Sequence, residues 1–220
     1  QLAKFIYCNN VDILVDLGGF THCRSFALMQ KPAPIQMQYL GFVNTLGIPE
    51  IDYIFADEFT IPKDFAKNYT EKPLYLGTCM QRFCFNNKNQ VLPELNELPY
   101  HKNGYITFGS FNCTSKLNDY TLELWAKLLK EVPSSKLLIY RTQMTPSIIE
   151  RLKYKFESFG ITSDRLIFNN IVCKDSHFSA YKLADIGLDP TPFNGLTITI
   201  EAISMGLPIL TLIGQSMQSR

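Results

Sequence analysis

The chain has 220 residues, with 21 lysines and arginines against 20 aspartates and glutamates, so its formal charge at pH 7 is +1. This length allows one large domain or two smaller lobes, and the near-zero charge lacks the basic excess that binding to a nucleic-acid backbone needs. The longest apolar run, "LPILTLIG", is far shorter than the ~20 residues of a membrane span. We therefore expect a soluble cytoplasmic protein, or a nucleocytoplasmic one in a eukaryote.

The first part of the chain contains four strand candidates, "DILVDL", "IQMQYLG", "DYIFAD" and "PLYLG". Because "DILVDLGG" has the pattern of a buried strand entering a glycine turn close to Gln1, the chain is expected to begin inside a domain, as a fragment. The later segment "NNKNQVLPELNELPYHKNG" is polar and carries two prolines, which is linker composition. We predict a first lobe at 1–87, a linker at 88–104 and a second lobe at 105–220.

From Tyr105 onward, strand-like runs alternate with helical patterns, which predicts a parallel sheet covered by crossover helices. The strand candidates are "YITFGSF", "KLLIY", "RLIF", "IGLD" and "PILTL". One helix is predicted to end at Pro133, a second to run from Pro146 to Gly160, a third to lie near "SHFSAYKLAD" and a fourth to run from Thr197 to Met205. The predicted fold class is α/β.

Three loops of the second lobe carry candidate ligand-binding residues, because ligands of open α/β sheets bind outside the carboxyl ends of the strands. In "FGSFNCTSK", Lys116 could stabilise negative charge on a departing phosphate, or it could be a surface lysine beside a capping Asn118. In "NNIVCKDSH", His177 could pack on a nucleobase, or it could be a cap or a partly buried structural residue.

The third loop leads into "PFNGLTITIEAISMGLPILT", where Thr197 and Glu201 share one helical face. A hydroxyl and the unpaired N–H groups of a helix start can hold a diphosphate, and a carboxylate one turn later can accept from a ribose hydroxyl. The alternative is a helix cap followed by a solvated glutamate.

Other cofactor and metal motifs are missing. "DLGGFTHCR" lacks the third glycine of the dinucleotide fingerprint, which argues against a dehydrogenase that binds NAD. The six cysteines have no zinc-site spacing, so we expect reduced, mostly buried thiols. No metal and no cofactor is expected, since helix ends and a lysine would meet the charge of a bound phosphate.

Taken together, these loops resemble a known family. The stretches "KPAPIQMQYLGFVNTLGIPEIDYIFAD", "FGSFNCTSKLNDYTLELWAKLLKEVPSSKLLI" and "HFSAYKLADIGLDPTPFNGLTITIEAISMGLPILTLIGQSMQSR" are similar to the catalytic region of O-GlcNAc transferases and of SPINDLY-type O-fucosyltransferases, glycosyltransferase family 41. The resemblance implies a GT-B-like fold of two Rossmann-like lobes with parallel sheets, the first incomplete and the second truncated here. It also implies TPR repeats upstream.

The resemblance assigns roles to residues by position. Lys116 would stabilise the departing diphosphate, and Thr197 with its neighbours would bind the phosphates. Glu201 would contact the ribose. The nucleotide-sugar-binding set implied in this way is Cys113, Val172, Cys173, Lys174, His177, Gly195, Leu196, Thr197, Ile198 and Glu201.

The sequence departs from the family pattern at three positions and leaves the general base open. Cys113 replaces an amide side chain, Leu196 an imidazole and Ile198 a threonine, and each change removes a polar contact to the diphosphate. The family's acceptor-side histidine segment is also missing. Asp12 or the donor phosphate itself is then the candidate base.

The function implied is an inverting, metal-independent transfer of a sugar, with GlcNAc from UDP-GlcNAc preferred, to Ser or Thr hydroxyls of proteins. The partners are therefore a nucleotide-sugar donor and a protein or peptide acceptor, without nucleic acid. The alternatives are a SPINDLY-like O-fucosyltransferase that uses GDP-fucose and a non-catalytic nucleotide-binding relative.

Overall fold

The structure is a computed structural model that describes residues 1–22, 24–77, 79–81, 97–171 and 177–220, with His22 described in its backbone alone. It divides into two compact units, Gln1–Arg82 with Gln215–Arg220, and Phe83–Gly214. The described part of each unit contains one sheet in which every pair of neighbouring strands is parallel. The predicted α/β class is confirmed.

The sheet of the first unit has the order β1-β2-β3-β4, so each strand pairs with the next one in the chain. Its strands are β1 (Ile13–Asp16), β2 (Ile35–Gln38), β3 (Tyr53–Ala56) and β4 (Lys72–Tyr75), and its helices are α1 (Leu2–Cys8) and α2 (Ser25–Leu28). Strands β1, β2 and β3 lie inside the segments predicted from the sequence, and β4 begins one residue before the predicted "PLYLG". Helix α1 was not among the predicted elements.

The last six residues, Gln215–Arg220, belong to the first unit. Met217 packs in a cluster with Ile54 and Ile61, and the Arg220 guanidinium lies 5.0 Å from the centre of the Phe65 ring. The sequence alone assigns these residues to the second lobe, because a contact of this range leaves no local pattern.

The sheet of the second unit has the order β7-β6-β5-β8-β9. Its strands are β5 (Thr107–Ser110), β6 (Lys136–Tyr140), β7 (Leu166–Asn169), β8 (Ile186–Leu188) and β9 (Ile209–Leu210). Its helices are α3 (Pro99–Asn103), α4 (Asp119–Glu131), α5 (Pro146–Ser158) and α6 (Thr197–Ser204), with short 3-10 helices at Thr114–Lys116, Ser163–Arg165 and His177–Leu183. The chain builds outward from β5 to β7, then crosses to the other side of β5.

The core of the second unit follows the alternation of side chains along β6. Leu137 and Ile139 pack with Trp125 of α4 and Phe156 of α5 on one face. Leu138 and Tyr140 belong to a second cluster with residues of the 177–183 turn and of α6. All four residues of the central strand β5 are buried, as expected for a parallel strand covered on both faces.

The segment at 177–183 is a 3-10 helix, where the sequence suggests an ordinary helical stretch. In a 3-10 helix, side chains three positions apart lie above one another. Phe178 and Tyr181 have this spacing, and both are buried in the second core cluster. The tighter turn therefore places two large aromatic side chains on the same side.

Residues 97–104, the last part of the predicted linker, are attached to the second unit. The Tyr100 backbone N–H donates to Asp185 Oδ1 at 2.9 Å, and Thr107 N–H donates to Asp185 Oδ2 at 2.8 Å. The other predicted linker residues, 88–96, lie outside the described residues, as do Val172, Cys173 and Lys174. The division at 1–87, 88–104 and 105–220 stays a prediction.

Two further sequence expectations can be compared with the described residues. Cys8 and Cys79 are exposed and Cys113 is partly exposed, so the expectation of mostly buried thiols is wrong for these three. No helix in the described ranges is both long and apolar enough to cross a membrane.

Candidate functional site

The second sheet has a topological switch point at its central strand. Strand β5 pairs with β6 on one side and with β8 on the other, so the loops that follow β5 and β8 leave the same edge in opposite directions. Such a crevice at the carboxyl ends of the strands is where open α/β sheets bind ligands. The two loops, at 111–118 and 189–196, carry several of the predicted site residues.

The two loops are joined by direct hydrogen bonds. Asn118 Nδ2 donates to the Thr191 carbonyl at 2.8 Å, and Thr121 Oγ1 donates to the same carbonyl at 2.7 Å. Asn118 is also the N-cap of α4, since its side chain accepts from Thr121 N–H at 2.8 Å. The start of α4 therefore fixes the loop after β8 against the loop after β5.

Asp189, the first residue after β8, organises this crevice from inside. The residue is 8% exposed, and its carboxylate accepts from the Gly195 N–H at 2.7 Å and from Thr211 Oγ1 at 3.0 Å. Burial raises the pKa of this carboxyl above its usual value, while the hydrogen bonds and Lys116 act in the opposite direction. Asp189 thus supports the turn that contains Gly195 and precedes α6.

Lys116 lies at the end of the loop after β5, with its ammonium partly buried between the two loops. Its Nζ donates to the Asn194 carbonyl at 2.7 Å and lies 4.6 Å from the centre of the Phe193 ring. Burial lowers the pKa of Lys116, and the attraction of Asp189 opposes this shift. Lys116 is therefore not the surface lysine of the alternative interpretation, although Asn118 beside it does cap α4.

Cys113 lies in the same loop and is partly exposed. The Ser115 hydroxyl donates to its Sγ at 3.2 Å, and this hydrogen bond is the main reason that the pKa of the thiol is lowered. Arg141 and Lys116 lower the pKa of Cys113 further by their positive charge. The thiol thus lies near one hydroxyl donor and two cations, at the position where the family pattern has an amide side chain.

Glu201 is a second anchored carboxylate, one turn into α6. Its side chain is only 13% exposed, and its Oε2 accepts from the Tyr181 hydroxyl at 2.7 Å. His177 Nε2 lies 3.5 Å from the same oxygen. Burial and the bond to Glu201 raise the pKa of Tyr181, so this hydroxyl remains a donor. The alternative of a solvated glutamate is therefore wrong.

The start of α6 presents backbone donors beside these side chains. Leu196 is the N-cap and makes no side-chain capping bond, and Thr197 is the first helical residue. The first N–H groups of a helix have no partner within the helix, and they carry partial positive charge. An anion placed at this helix start would meet both the N–H groups and the Thr197 hydroxyl.

A cavity of about 130 Å³ opens beside Glu201, and Arg141, His177, Tyr181 and Ile198 contribute to its walls. This volume is smaller than the roughly 300–1,000 Å³ of typical ligand pockets, so the cavity holds part of a nucleotide-sized molecule at most. The cavity wall therefore contains the Arg141 guanidinium, the Glu201 carboxylate and the Tyr181 hydroxyl that donates to this carboxylate.

The sequence profile of glycosyl transferase family 41 matches residues 1–104 and 98–220. The chain belongs to glycosyltransferase family 41. Three separate motifs of the sequence led to the same family.

Several curated relatives of the chain are plant proteins. A protein from Eustoma exaltatum subsp. russellianum, named probable UDP-N-acetylglucosamine--peptide N-acetylglucosaminyltransferase SPINDLY, is 34% identical over 97% of the chain. The Arabidopsis thaliana protein with the same description but named SEC is 31% identical over the whole chain. The chain spans 23% of the length of each of these relatives.

Among solved structures, a mutant of the Thermobaculum terrenum O-GlcNAc transferase matches the whole chain with a TM-score of 0.88 and 31% identity. The match covers 41% of that protein. The pneumococcal O-GlcNAc transferase GtfA, solved with UDP and GlcNAc, matches 94% of the chain with a TM-score of 0.53 at 13% identity, and 44% of it is covered. The second match speaks for the fold alone. The first supports the predicted GT-B-like fold class.

Most of the residues predicted to form the donor site lie at the switch point. Cys113, Lys116 and Gly195 lie in the loops after β5 and β8, and a further four lie in or next to α6 or at the 3-10 turn: His177, Leu196, Thr197 and Ile198. Glu201 joins them through Tyr181. Their roles stay predictions.

Asp12 is placed differently. It directly precedes β1, at the amino end of the first sheet, and its side chain is exposed. Asp16 lies at the carboxyl end of that strand, where its carboxylate accepts from the Gly18 and Gly19 N–H groups. A role for Asp12 as general base stays a prediction that this placement does not support.

Sequence reasoning missed Arg141, Tyr181, Asp189 and Asn194. For Arg141 a signal was present, because it lies directly after the predicted strand "KLLIY", at the edge where the rule for α/β sheets places ligands. Asp189 was counted as the last residue of the predicted strand "IGLD", whereas β8 ends at Leu188 and Asp189 opens the loop. Tyr181 and Asn194 had no such signal, since their importance depends on which distant residue each one contacts.

Proposed function

We propose that the full-length protein is an inverting, metal-independent glycosyltransferase that moves a sugar, GlcNAc from UDP-GlcNAc by preference, to Ser or Thr hydroxyls of proteins. The observation that carries this proposal is the partly buried ammonium of Lys116 at the switch point, hydrogen-bonded to Asn194 and next to the start of α6. The names of the two plant relatives support UDP-GlcNAc as the donor and a peptide as the acceptor.

The chemical step requires stabilisation of a leaving group. The acceptor hydroxyl oxygen forms a bond to the anomeric carbon while the bond from that carbon to the β-phosphate oxygen breaks, and the hydroxyl proton passes to a base. The diphosphate gains negative charge as it departs. Lys116 and the N–H groups at the start of α6 are held in place beside the crevice, and such preorganised donors lower the barrier without the cost of reorienting water.

The other predicted contacts hold the donor in place for this step. Glu201, oriented by the Tyr181 hydroxyl, accepts from a ribose hydroxyl, and His177 at the cavity wall packs on the base. Asp189 keeps Gly195 and the preceding Asn194 carbonyl in position, and this carbonyl in turn orients Lys116. In this arrangement Asp189 acts through other residues and does not touch the donor.

A non-catalytic nucleotide-binding relative is the second candidate function. The side chains of Cys113, Leu196 and Ile198 are favourable to it, because none of them offers the polar contact to a diphosphate that the family pattern supplies. A site of this kind would still bind a nucleotide through Lys116 and α6.

The test is a transfer assay with the full-length protein, radiolabelled UDP-GlcNAc or GDP-fucose, and a mixture of Ser- and Thr-containing peptides. We expect transfer from UDP-GlcNAc with inversion, unchanged by a metal chelator. Lys116→Met should lower kcat by about 100- to 1,000-fold, the effect of removing one charge-stabilising donor. Lys127→Met, which removes an exposed lysine paired with Glu123 on α4, is the matched control and should leave the rate unchanged.

The remaining outcomes separate the alternatives. Transfer from GDP-fucose alone would replace the preferred donor by the SPINDLY-like one. Nucleotide binding without transfer from either donor to any peptide would contradict the enzymatic proposal and favour the non-catalytic relative.

A further inference from the structure

Arg141 is the first residue after β6, and its backbone is held in place on both sides. Its N–H donates to the Asn169 carbonyl of β7 at 3.0 Å, and its own carbonyl accepts from the Met144 N–H at 3.1 Å. Because Ser110 of β5 pairs with Ile139 of β6, Arg141 leaves the sheet beside the loop that contains Cys113. The guanidinium therefore enters the candidate site from a fixed position.

The side chain of Arg141 lines the cavity beside Glu201, and its Nε is buried without a hydrogen-bond partner among the residues that the structure describes. Within the described residues, no carboxylate lies within 4.0 Å of its guanidinium nitrogens. Glu201 accepts from the Tyr181 hydroxyl and faces His177 instead. A buried donor on a charged group is costly to leave unpaired, so an unpaired Arg141 Nε is unusual unless a ligand completes it.

Arg165, in the same unit, shows what a structural arginine looks like in this fold. Its Nη2 donates to the Leu129 and Val132 carbonyls at 2.9 and 3.0 Å, and its Nε donates to the Ser135 carbonyl. These bonds close the carboxyl end of α4, where the last carbonyls of a helix lack partners. Arg141 has no comparable set of bonds in the described part of the chain.

Arg141 also lies close to the other cation of the site. Burial is the main cause of the lowered pKa of Lys116, and the charge of Arg141 adds a smaller contribution in the same direction. For the Cys113 thiol, whose pKa is lowered mainly by Ser115, Arg141 again contributes. The guanidinium and the ammonium therefore repel each other across the loop after β5. Two cations are held near each other at a cost that an anion between them would remove. A guanidinium also presents paired donors in a planar fork that matches the oxygens of a phosphate.

We infer that Arg141 binds the diphosphate of the nucleotide-sugar donor together with Lys116. In this arrangement Arg141 supplies donors in place of the polar contacts that Cys113 and Ile198 do not make. The inference rests on the proposed function for the identity of the donor, but the anion site itself requires only the geometry of Arg141 and Lys116.

The test compares ligands with and without phosphates on the full-length protein. UDP, GDP, uridine, guanosine and inorganic pyrophosphate are titrated calorimetrically against the wild type, Arg141→Gln and Arg151→Gln. Arg151 is an exposed arginine of α5 and provides the matched control. We expect Arg141→Gln to lower the affinity for the nucleoside diphosphate and for pyrophosphate by about 10- to 100-fold, the effect of losing hydrogen bonds to a charged group. The affinity of this variant for the nucleoside should not change, and Arg151→Gln should bind every ligand as the wild type does.

Two results would overturn the inference. Unchanged affinity for the nucleoside diphosphate in Arg141→Gln would show that the guanidinium does not touch it, and equal losses for the nucleoside diphosphate and its nucleoside would show a structural role. If circular dichroism shows that Arg141→Gln does not fold, Arg141→Lys replaces it. Lysine lacks the planar fork. A lower affinity of Arg141→Lys for the nucleoside diphosphate, without a change for the nucleoside, supports the inference, and an unchanged affinity for the nucleoside diphosphate contradicts it.

The experiment separates this inference from the proposed function. A wild type that binds none of the nucleotides would contradict the proposed donor site, and pyrophosphate would then test Arg141 alone. Pyrophosphate binding that both Arg141→Gln and Lys116→Met weaken would support the anion site, and binding that neither changes would overturn it.

Discussion

Replacing Gly195 by alanine tests whether the turn between β8 and α6 is as tightly fixed as its contacts indicate. A Cβ at this position would meet Thr199 Oγ1 within contact distance and would lie 2.9 Å from Asp189 Oδ1 and 3.1 Å from Asn112 Oδ1. The Thr199 side chain can rotate away. Asp189 and Asn112 are 8% and 4% exposed, and Asp189 is held by Gly195 N–H itself, so the two cannot move apart without weakening that bond.

The cost can be estimated from these contacts. Overpacking a buried site costs about 1–3 kcal/mol, and a complete loss of the bond from Gly195 to the Asp189 carboxylate would add about 1.5–3 kcal/mol. The loss of unfolded-state freedom on replacing glycine by alanine returns about 0.4–1 kcal/mol. Because the bond is expected to lengthen and not to break, we expect the free energy of unfolding of the second unit to fall by about 1–3 kcal/mol.

The assay is denaturant unfolding of the 220-residue chain followed by tryptophan fluorescence. Trp125 is the single tryptophan of the sequence and is buried in the core of the second unit, so its signal reports that unit. Gly77→Ala is the control, since a Cβ there meets nothing within 4 Å. A Gly195→Ala variant as stable as the Gly77→Ala variant would refute the idea that Asp189 fixes the turn.

Two further predictions concern the donor site. Burial lowers the pKa of Lys116. The affinity for UDP is expected to be highest below this pKa and to fall as the pH rises through it, because only the protonated ammonium attracts a diphosphate. Asp189, Cys113 and Arg141 also act on Lys116, so the titration is made in a Cys113→Ser background, and a Lys116→Met variant that shows the same fall would contradict the assignment. Glu201→Ala is expected to weaken UDP by about tenfold, the effect of one lost hydrogen bond to a charged group, and to leave pyrophosphate binding unchanged; equal losses for both ligands in an isothermal titration would rule out a ribose contact.

Much of the second sheet was predictable because its strands and helices carry local periodicity. "KLLIY" and "RLIF" lie on β6 and β7, and the helix predicted from Pro146 begins at that residue. The sequence also singled out Lys116 and Glu201 as candidates, since a rule about carboxyl ends of strands identifies a loop without knowing its partners, and their roles stay predictions. The strands of the first unit were predictable for the same reason.

The site contacts were not predictable, because they depend on the order of the strands. The Lys116 ammonium and the Asn194 carbonyl that it contacts are 78 residues apart in the sequence, and they meet only because β8 pairs with β5. For the same reason nothing local distinguished Arg141, whose buried Nε lacks a partner among the described residues, from Arg165, which closes the end of α4. The packing of Met217 with the first unit is a third case.

The sequence by itself therefore determined the α/β class, the positions of the strands, the family resemblance and the loops in which to look for a site. Only the tertiary structure decided that Asp189 supports the Gly195 turn and that Glu201 is oriented by Tyr181. It also decided that Arg141 enters the cavity with a donor that has no partner in the described part of the chain. The physical reason is that periodicity encodes the local path of the backbone. Burial, pKa shifts and unpaired donors arise only when crossover connections bring distant strands side by side.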